Sequence, residues 1–274
     1  MTTLKVPGAE LYYEKRGTGP VLLFIPGGNG DAGLYQGVAT ALADRYTTVT
    51  YDRRGFSRSP LDGPVDDDAR VEADVEDAKR LLGEFTDRPA YVFGSSSGAI
   101  VALELLTRHP DRILRLFAHE PPLVTLLPDS ERHLVLLDDV YDTYRTVGFG
   151  AALAKFLRAT GIEGMGGPGG REPIGDTAEF VARVRHNLEF WLEHELRSYP
   201  RVTPDLAALE ATADRLVLSG GRDSHDAFPY WPNQILAEKL GLPIVDFPGG
   251  HIGYGTHATD FAAQLGEVLA ASRT

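Results

Sequence analysis

Ala90-Tyr91-Val92-Phe93-Gly94-Ser95-Ser96-Ser97-Gly98-Ala99-Ile100-Val101-Ala102-Leu103 reads as a short buried strand, a turn pinched between two glycines, and an apolar helix. Its centre, Gly94-Ser95-Ser96-Ser97-Gly98, fits the G-x-S-x-G pattern of a nucleophile elbow, with Ser96 in the middle. Such a turn strains the backbone of its central residue, and side chains at the flanking glycines would collide with the neighbouring strand or helix. The Ser96 hydroxyl is then held at the carboxyl end of a sheet, clear of its own backbone. Ser97 opens the following helix, so its amide is a first-turn donor without an intrahelical acceptor. Consecutive residues thus offer a nucleophile and one oxyanion donor. A Ser/Gly-rich loop can match five positions by chance; the strand before and the helix after give the match its meaning.

Outward from the elbow, the chain alternates strands and helices. Residues 3–6 and 10–15 form an antiparallel pair turned at Pro7-Gly8. Val21-Leu22-Leu23-Phe24-Ile25 is a continuous apolar run, as a strand covered on both faces requires. A helix from about Gly33 to Asp44 and a strand from Tyr46 to Tyr51 follow. From Ala69 to Phe85, the residues Val71, Val75, Ala78, Leu82 and Phe85 fall on one helical face. Ile113–Ala118, Leu216–Leu218 and Pro243–Phe247 supply further strands, with helices over 232–241 and 257–272. The pattern predicts an α/β fold, a mostly parallel sheet flanked by helices.

One region breaks the alternation. Between about Pro121 and Thr212 there are helical stripes (Leu134, Leu137, Tyr141, Tyr144; then Phe180, Val184, Leu188, Trp191, Leu192) and no strand pattern. Gly161–Gly175 holds seven glycines and two prolines and cannot be a regular element. The expectation is a core of residues 1–120 and 213–274 with a helical lid inserted at 121–212. Such a lid would cover the strands' carboxyl ends, where α/β sheets place their sites. It is expected to choose the substrate and to leave the basic chemistry alone.

A serine nucleophile needs a base, and the base needs an orienting acid. The order expected with this elbow is Ser, then Asp or Glu, then His. Pro248-Gly249-Gly250-His251 follows the last strand, making His251 the candidate base. Ser219-Gly220-Gly221-Arg222-Asp223 ends the strand before it, making Asp223 the candidate acid, with Asp226 a weaker choice. Glu120 is the rival, because it closes a strand adjacent to the elbow strand. His225 and His257 read as surface residues. The second oxyanion donor is expected from Pro26-Gly27-Gly28-Asn29-Gly30, with the Gly28 N–H the best placed. Asn29, Trp191, Phe228, Tyr230 and Trp231 are candidate pocket residues. Asp66-Asp67-Asp68 cannot converge on a metal; the three read as an acidic helix start with Asp68 capping.

Of 274 residues, 43% are hydrophobic and 24% charged, enough for one large domain or a domain with an insertion. The formal charge of −12 argues against nucleic-acid and anionic-membrane partners. Absence of cysteine excludes disulfides, thiolate metal sites and a cysteine nucleophile. The N-terminus lacks the apolar run of a signal peptide, so a cytoplasmic enzyme acting on a small molecule is expected.

The oxyanion turn, Tyr51-Asp52-Arg53-Arg54-Gly55-Phe56-Ser57-Arg58-Ser59, the Ser96 elbow, Gly221-Arg222-Asp223 and Gly250-His251 together resemble the α/β-hydrolase superfamily, in its capped form with a serine nucleophile. The similarity runs over residues 10–120 and 213–272. In one departure, Pro26 stands where the family usually has the histidine of a His-Gly pair, so a side chain that often braces the oxyanion turn is absent. The resemblance implies cofactor-free hydrolysis of an ester, thioester, lactone or amide through an acyl-enzyme. Ser96 argues against the members with an aspartate nucleophile. The leading expectation is hydrolysis of a carboxylic ester or lactone of a small to medium apolar substrate. A C–C bond hydrolase or a tailoring cyclase on the same triad is the alternative, and a ligand-binding protein with little turnover is the third.

Overall fold

In the computed structural model, which describes residues 2–162 and 178–271, side-chain alternation along the central strands divides the interior between two faces of one sheet. Strands β1 (Thr3–Val6) and β2 (Ala9–Arg16) are antiparallel, and β3 (Val21–Ile25) follows. A 3-10 turn at Ala32–Tyr35 leads into α1 (Gln36–Leu42), then β4 (Thr47–Tyr51) and α2 (Arg70–Phe85). The central unit is β5 (Ala90–Ser95), α3 (Ser97–Arg108) and β6 (Ile113–His119). Four helices come next: α4 (Ser130–Thr146), α5 (Phe149–Thr160), α6 (Ala178–His194) and α7 (Leu206–Ala211). The chain closes with β7 (Leu216–Gly221), α8 (Tyr230–Leu240), β8 (Ile244–Phe247), the single turn α9 (Gly253–Thr256) and α10 (Ala258–Ala271).

The strands lie in the order β1-β2-β4-β3-β5-β6-β7-β8, parallel from β4 to β8. This is the mostly parallel, helix-flanked sheet expected. The chain leaves β3 for β4 on one side and returns to β5 on the other. A crevice opens where the order reverses, at the carboxyl ends of β3 and β5.

Val21, Leu23 and Ile25 of β3, with Val92 of β5, face α2 and α3; Leu22, Phe24, Tyr91 and Phe93 face α1 and α10. Each such side chain, fully withdrawn from water, contributes roughly 1.5–3 kcal/mol. Helix α3 is buried almost all round, from Ser97 to Leu106 apart from Glu104, which keeps the residue before it fixed in space.

Between β6 and β7 the described residues contain helices and no strand. Leu137, Leu188, Trp191 and Leu192 of the two expected stripes join Phe56 and Phe228 in a third apolar cluster; the Phe180 side chain lies outside the described residues. The cluster extends to Leu196, whereas Tyr199, Val202, Leu206 and Leu209 pack with the α2–α3 face, ahead of the expected boundary at 212. Of Gly161–Gly175, residues 163–175 lie outside the described residues. The acidic start of α2 differs in detail from the reading above. Asp66, not Asp68, accepts from the amides of Asp68 and Ala69, and Asp67 pairs with His194. Among the described residues no helix is long and apolar enough to cross a membrane.

Candidate active site

Ser96 occupies the turn between β5 and α3 with φ 55° and ψ −126°. A non-glycine residue held there stores on the order of 1–3 kcal/mol of strain, sustained by what surrounds it. Its amide donates to the His119 carbonyl at 2.9 Å, and its carbonyl receives the Ala99 amide at 2.9 Å. The two elbow glycines are required by close approach. A β-carbon on Gly98 would lie 2.3 Å from the Ile25 carbonyl oxygen, and one on Gly94 would lie 2.4 Å from that of Gly98.

The imidazole of His251, in the loop after β8, is nearly buried, and its Nδ1 lies 2.6 Å from Glu120 Oε2. Glu120 follows β6 directly and has φ 50°, one of three non-glycine residues with positive φ among those described. That left-handed turn swings its carboxylate across the end of β7. There Oε1 accepts the Gly221 amide at 2.7 Å and the Ser224 hydroxyl. Burial pushes the Glu120 carboxyl up, but the bonds and charge of His251 and the Ser224 hydroxyl outweigh it and hold the group down to about 2. An ionised acceptor at Nδ1 keeps the proton on that nitrogen, leaving Nε2 as the ring's acceptor.

Asp223, expected at this position, is not there. Its amide is tied to the Gly249 carbonyl at 3.1 Å, and its side chain is exposed to solvent. The strand β6 lies next to the elbow strand while β7 is one place further out, so the acid on the histidine comes from the nearer strand end. The His251–Glu120 contact is closed. No hydrogen bond among the described residues joins Ser96 Oγ to His251 Nε2, a contact that commonly tightens only with substrate bound. His225 is exposed and bonds Asp246; His257 is half-buried, with Nδ1 2.9 Å from Thr256 Oγ1.

The turn after β3 passes directly beside the elbow: a β-carbon on Gly27 would lie 2.9 Å from Ser96 Cβ. Gly28 is covered by the Trp191 indole, which approaches within 2.6 Å of the point a β-carbon would occupy. Ser96 and Ser97 lie at the floor of a cavity of about 430 Å³, counting its open mouth. Trp191 and Phe228 line it, with Leu137, Phe156, Ile162 and Leu196, which the helical stripes only partly signalled. Tyr230 does not line it. Its hydroxyl donates to Asp246 Oδ1 and its ring stacks on His225. Trp231 is 39% exposed against Phe228 and His133, and Asn29 lies within the turn after β3 and outside the lining. The Ser97 hydroxyl is buried with no partner among the described residues.

His119 lies beneath this site, its ring centroid 6.5 Å from that of His251 and surrounded by Phe93, Phe247, Tyr254 and Phe261. Burial pulls it down from 6.5 to about 4. A base with a depressed folded-state pKa gives its full stability above the unfolded value and loses it as pH falls. Between pH 6.5 and 4 the unfolded chain takes up a proton that the folded chain refuses, a loss of about 3 kcal/mol. The melting temperature of His119→Phe should therefore fall less over this range than that of the parent. Equal slopes would show that His119 titrates as an ordinary histidine. Glu120 adds a loss in the same direction at lower pH, from about 4.5 toward 2.

A sheet that reverses at a strained serine, with a carboxylate after β6 meeting a histidine from the loop after β8, defines a class of fold as well as a site. A model of the alpha/beta hydrolase fold matches residues 20–160. The uncharacterized hydrolase YraK of Bacillus subtilis (strain 168) is 38% identical over 273 residues, covering 97% of this chain and 95% of its own. A zearalenone hydrolase of Bionectria ochroleuca is 29% identical, covering 97% of this chain and 96% of its own. Among solved structures, the enol-lactonase from Burkholderia xenovorans LB400 has the same fold, with a TM-score of 0.71 at 20% identity, covering 98% of this chain and 100% of that one. The chain belongs to the α/β-hydrolase family, and it is a hydrolase.

Proposed function

We propose that the chain cleaves a carboxylic ester or lactone of a small to medium apolar substrate through an acyl-enzyme. The observation that carries this reading is the positive-φ Ser96, beside the Glu120–His251 pair, at the floor of an apolar cavity. Ser96 Oγ attacks the substrate carbonyl while His251 Nε2 takes its proton. Glu120 holds the imidazole in that tautomer and stabilises the imidazolium. The oxyanion forms against the amides of Gly28 and Ser97, and collapse expels the alkoxide, which receives the proton from His251. Water then enters by the same base and releases the acid from Ser96. Helices α4, α5 and α6 act as a lid in this reading, since Leu137, Phe156 and Trp191 wall the cavity from them. The names of the enol-lactonase and of the zearalenone hydrolase support a substrate of this kind without selecting one.

A panel of p-nitrophenyl esters and lactones of graded size, each run against Ser96→Ala as blank, tests the proposal. Turnover on ester or lactone with a preference for apolar acyl groups is expected. If no member of the panel is turned over and fluorophosphonate labels no serine, the binding-protein reading replaces this one.

A further inference from the structure

Helix α6 meets the oxyanion turn along a single stripe. Arg183, Asn187, Trp191 and Glu195 (the last just past the helix end, its amide still bonded to the Trp191 carbonyl) are spaced four residues apart and so share one face. Arg183 Nε reaches Asp31 Oδ2 at 3.0 Å. Asn187 Nδ2 donates to the Asn29 carbonyl at 2.6 Å, while its Oδ1 accepts the Ser57 amide at 2.9 Å. Trp191 lies on Gly28. Glu195 grips Arg53 with both oxygens, at 2.8 and 3.0 Å, and Arg53 Nη1 donates onward to the Gly27 carbonyl at 3.3 Å. Residues 183, 187, 191 and 195 thus address 31, 29, 28 and 27 in turn. Asn187, Arg53 and Glu195 are fully buried.

The turn they address has few side chains of its own to hold it. Three of its five residues are glycine, and its own closing bond is Gly30 N–H to the Gly27 carbonyl at 2.9 Å. Pro26 offers no side-chain hydrogen bond to stiffen it. Yet an oxyanion donor works only when held within about 0.5 Å of its place. We propose that α6, through Asn187 and Glu195, holds the Gly28 N–H on the reacting oxygen, so that these two are positioning residues for the chemical step. The inserted segment then does more than select substrate. This inference rests on the assignment of Ser96 and Gly28 made above.

The test uses p-nitrophenyl acetate, too small to depend on the cavity's apolar wall, with Asn187→Ala and Glu195→Gln. Rates are expressed per active site titrated to completion with a fluorophosphonate, which removes any misfolded fraction from the comparison. Affinity for a trifluoromethyl ketone, whose hemiketal carries the oxyanion, is measured in parallel. Full loss of one donor costs roughly 10²–10³ in rate, so a displaced donor should cost about 10- to 100-fold in kcat. KM should stay within about threefold, and ketone affinity should fall in step with kcat. A kcat per titrated site within twofold of the parent for both variants would overturn the inference. So would a loss confined to KM, which returns α6 to substrate selection alone. If the parent itself neither labels at Ser96 nor turns over the ester, the hydrolytic reading fails first. If it does both, a negative result counts against the role of α6 only.

Discussion

Glu120→Gln should lower kcat about 10⁴-fold on an activated ester, while Asp223→Asn stays within about twofold of the parent. The glutamine keeps the size and can still bond the imidazole, but its amide can present N–H to Nδ1. That stabilises the tautomer whose proton sits on Nε2, where the base is needed. The same variant loses the charge that would stabilise the imidazolium. Glu120 also receives the Gly221 amide and the Ser224 hydroxyl, so a fall in melting temperature should accompany the loss of rate. Asp223 has neither role, being exposed and bound through its backbone. The measurement is kcat for both variants beside their melting curves. A larger loss for Asp223→Asn would return the acid to the end of β7.

Ser96→Ala should remove turnover almost wholly, by about 10⁶-fold where the uncatalysed background allows it to be read. Folding should survive, because alanine fits wherever serine does and the serine hydroxyl caps nothing in α3. Alanine at φ 55° is no more strained than serine, so the melting temperature should shift by a few degrees at most. Fluorophosphonate should label the parent at Ser96, located by peptide mapping, and leave the variant unlabelled. Label on Ser95 or Ser97 would move the nucleophile by one residue. Ser95 makes a poor candidate, since it ends β5 fully buried with its hydroxyl turned to Tyr254 at 3.2 Å.

The parallel sheet was legible because β3 and β5 are covered on both faces, which forces unbroken apolar runs between glycine-rich turns. The placement of Ser96 and His251 at one end of the sheet was legible because Ser96 directly follows β5 and His251 lies in the glycine-rich loop after β8. Which carboxylate meets His251 was not. Both Asp223 and Glu120 follow strands, and what separates them is the left-handed backbone at Glu120 together with the Gly221 amide and Ser224 hydroxyl that donate to its second oxygen. Those are tertiary facts, invisible in a linear pattern. Tyr230 and Trp231 misled for a similar reason: an aromatic near a strand end signals burial but not direction, and Asp246 draws the Tyr230 hydroxyl away from the cavity. Asn187 and Glu195 gave no signal because each reads as an ordinary polar residue on an amphipathic helix. Only the approach of α6 to the turn after β3 gives them work.

The bond between Arg53 and Glu195 joins positions 142 residues apart, and this bears on which parts of the chain the core depends on. Arg53, Arg70 and Asp74 all sit in the interior, two guanidinium groups against one carboxylate, until Glu195 arrives as the fourth charge. In the folded protein, loss of Glu195 would leave one of these buried guanidinium groups without a counter-charge, which costs roughly 3–5 kcal/mol. Glu195 is thus a counter-charge that the inserted segment lends to the core, and a version of the protein shortened by removing that segment would leave Arg53 and Arg70 with Asp74 as their remaining buried partner.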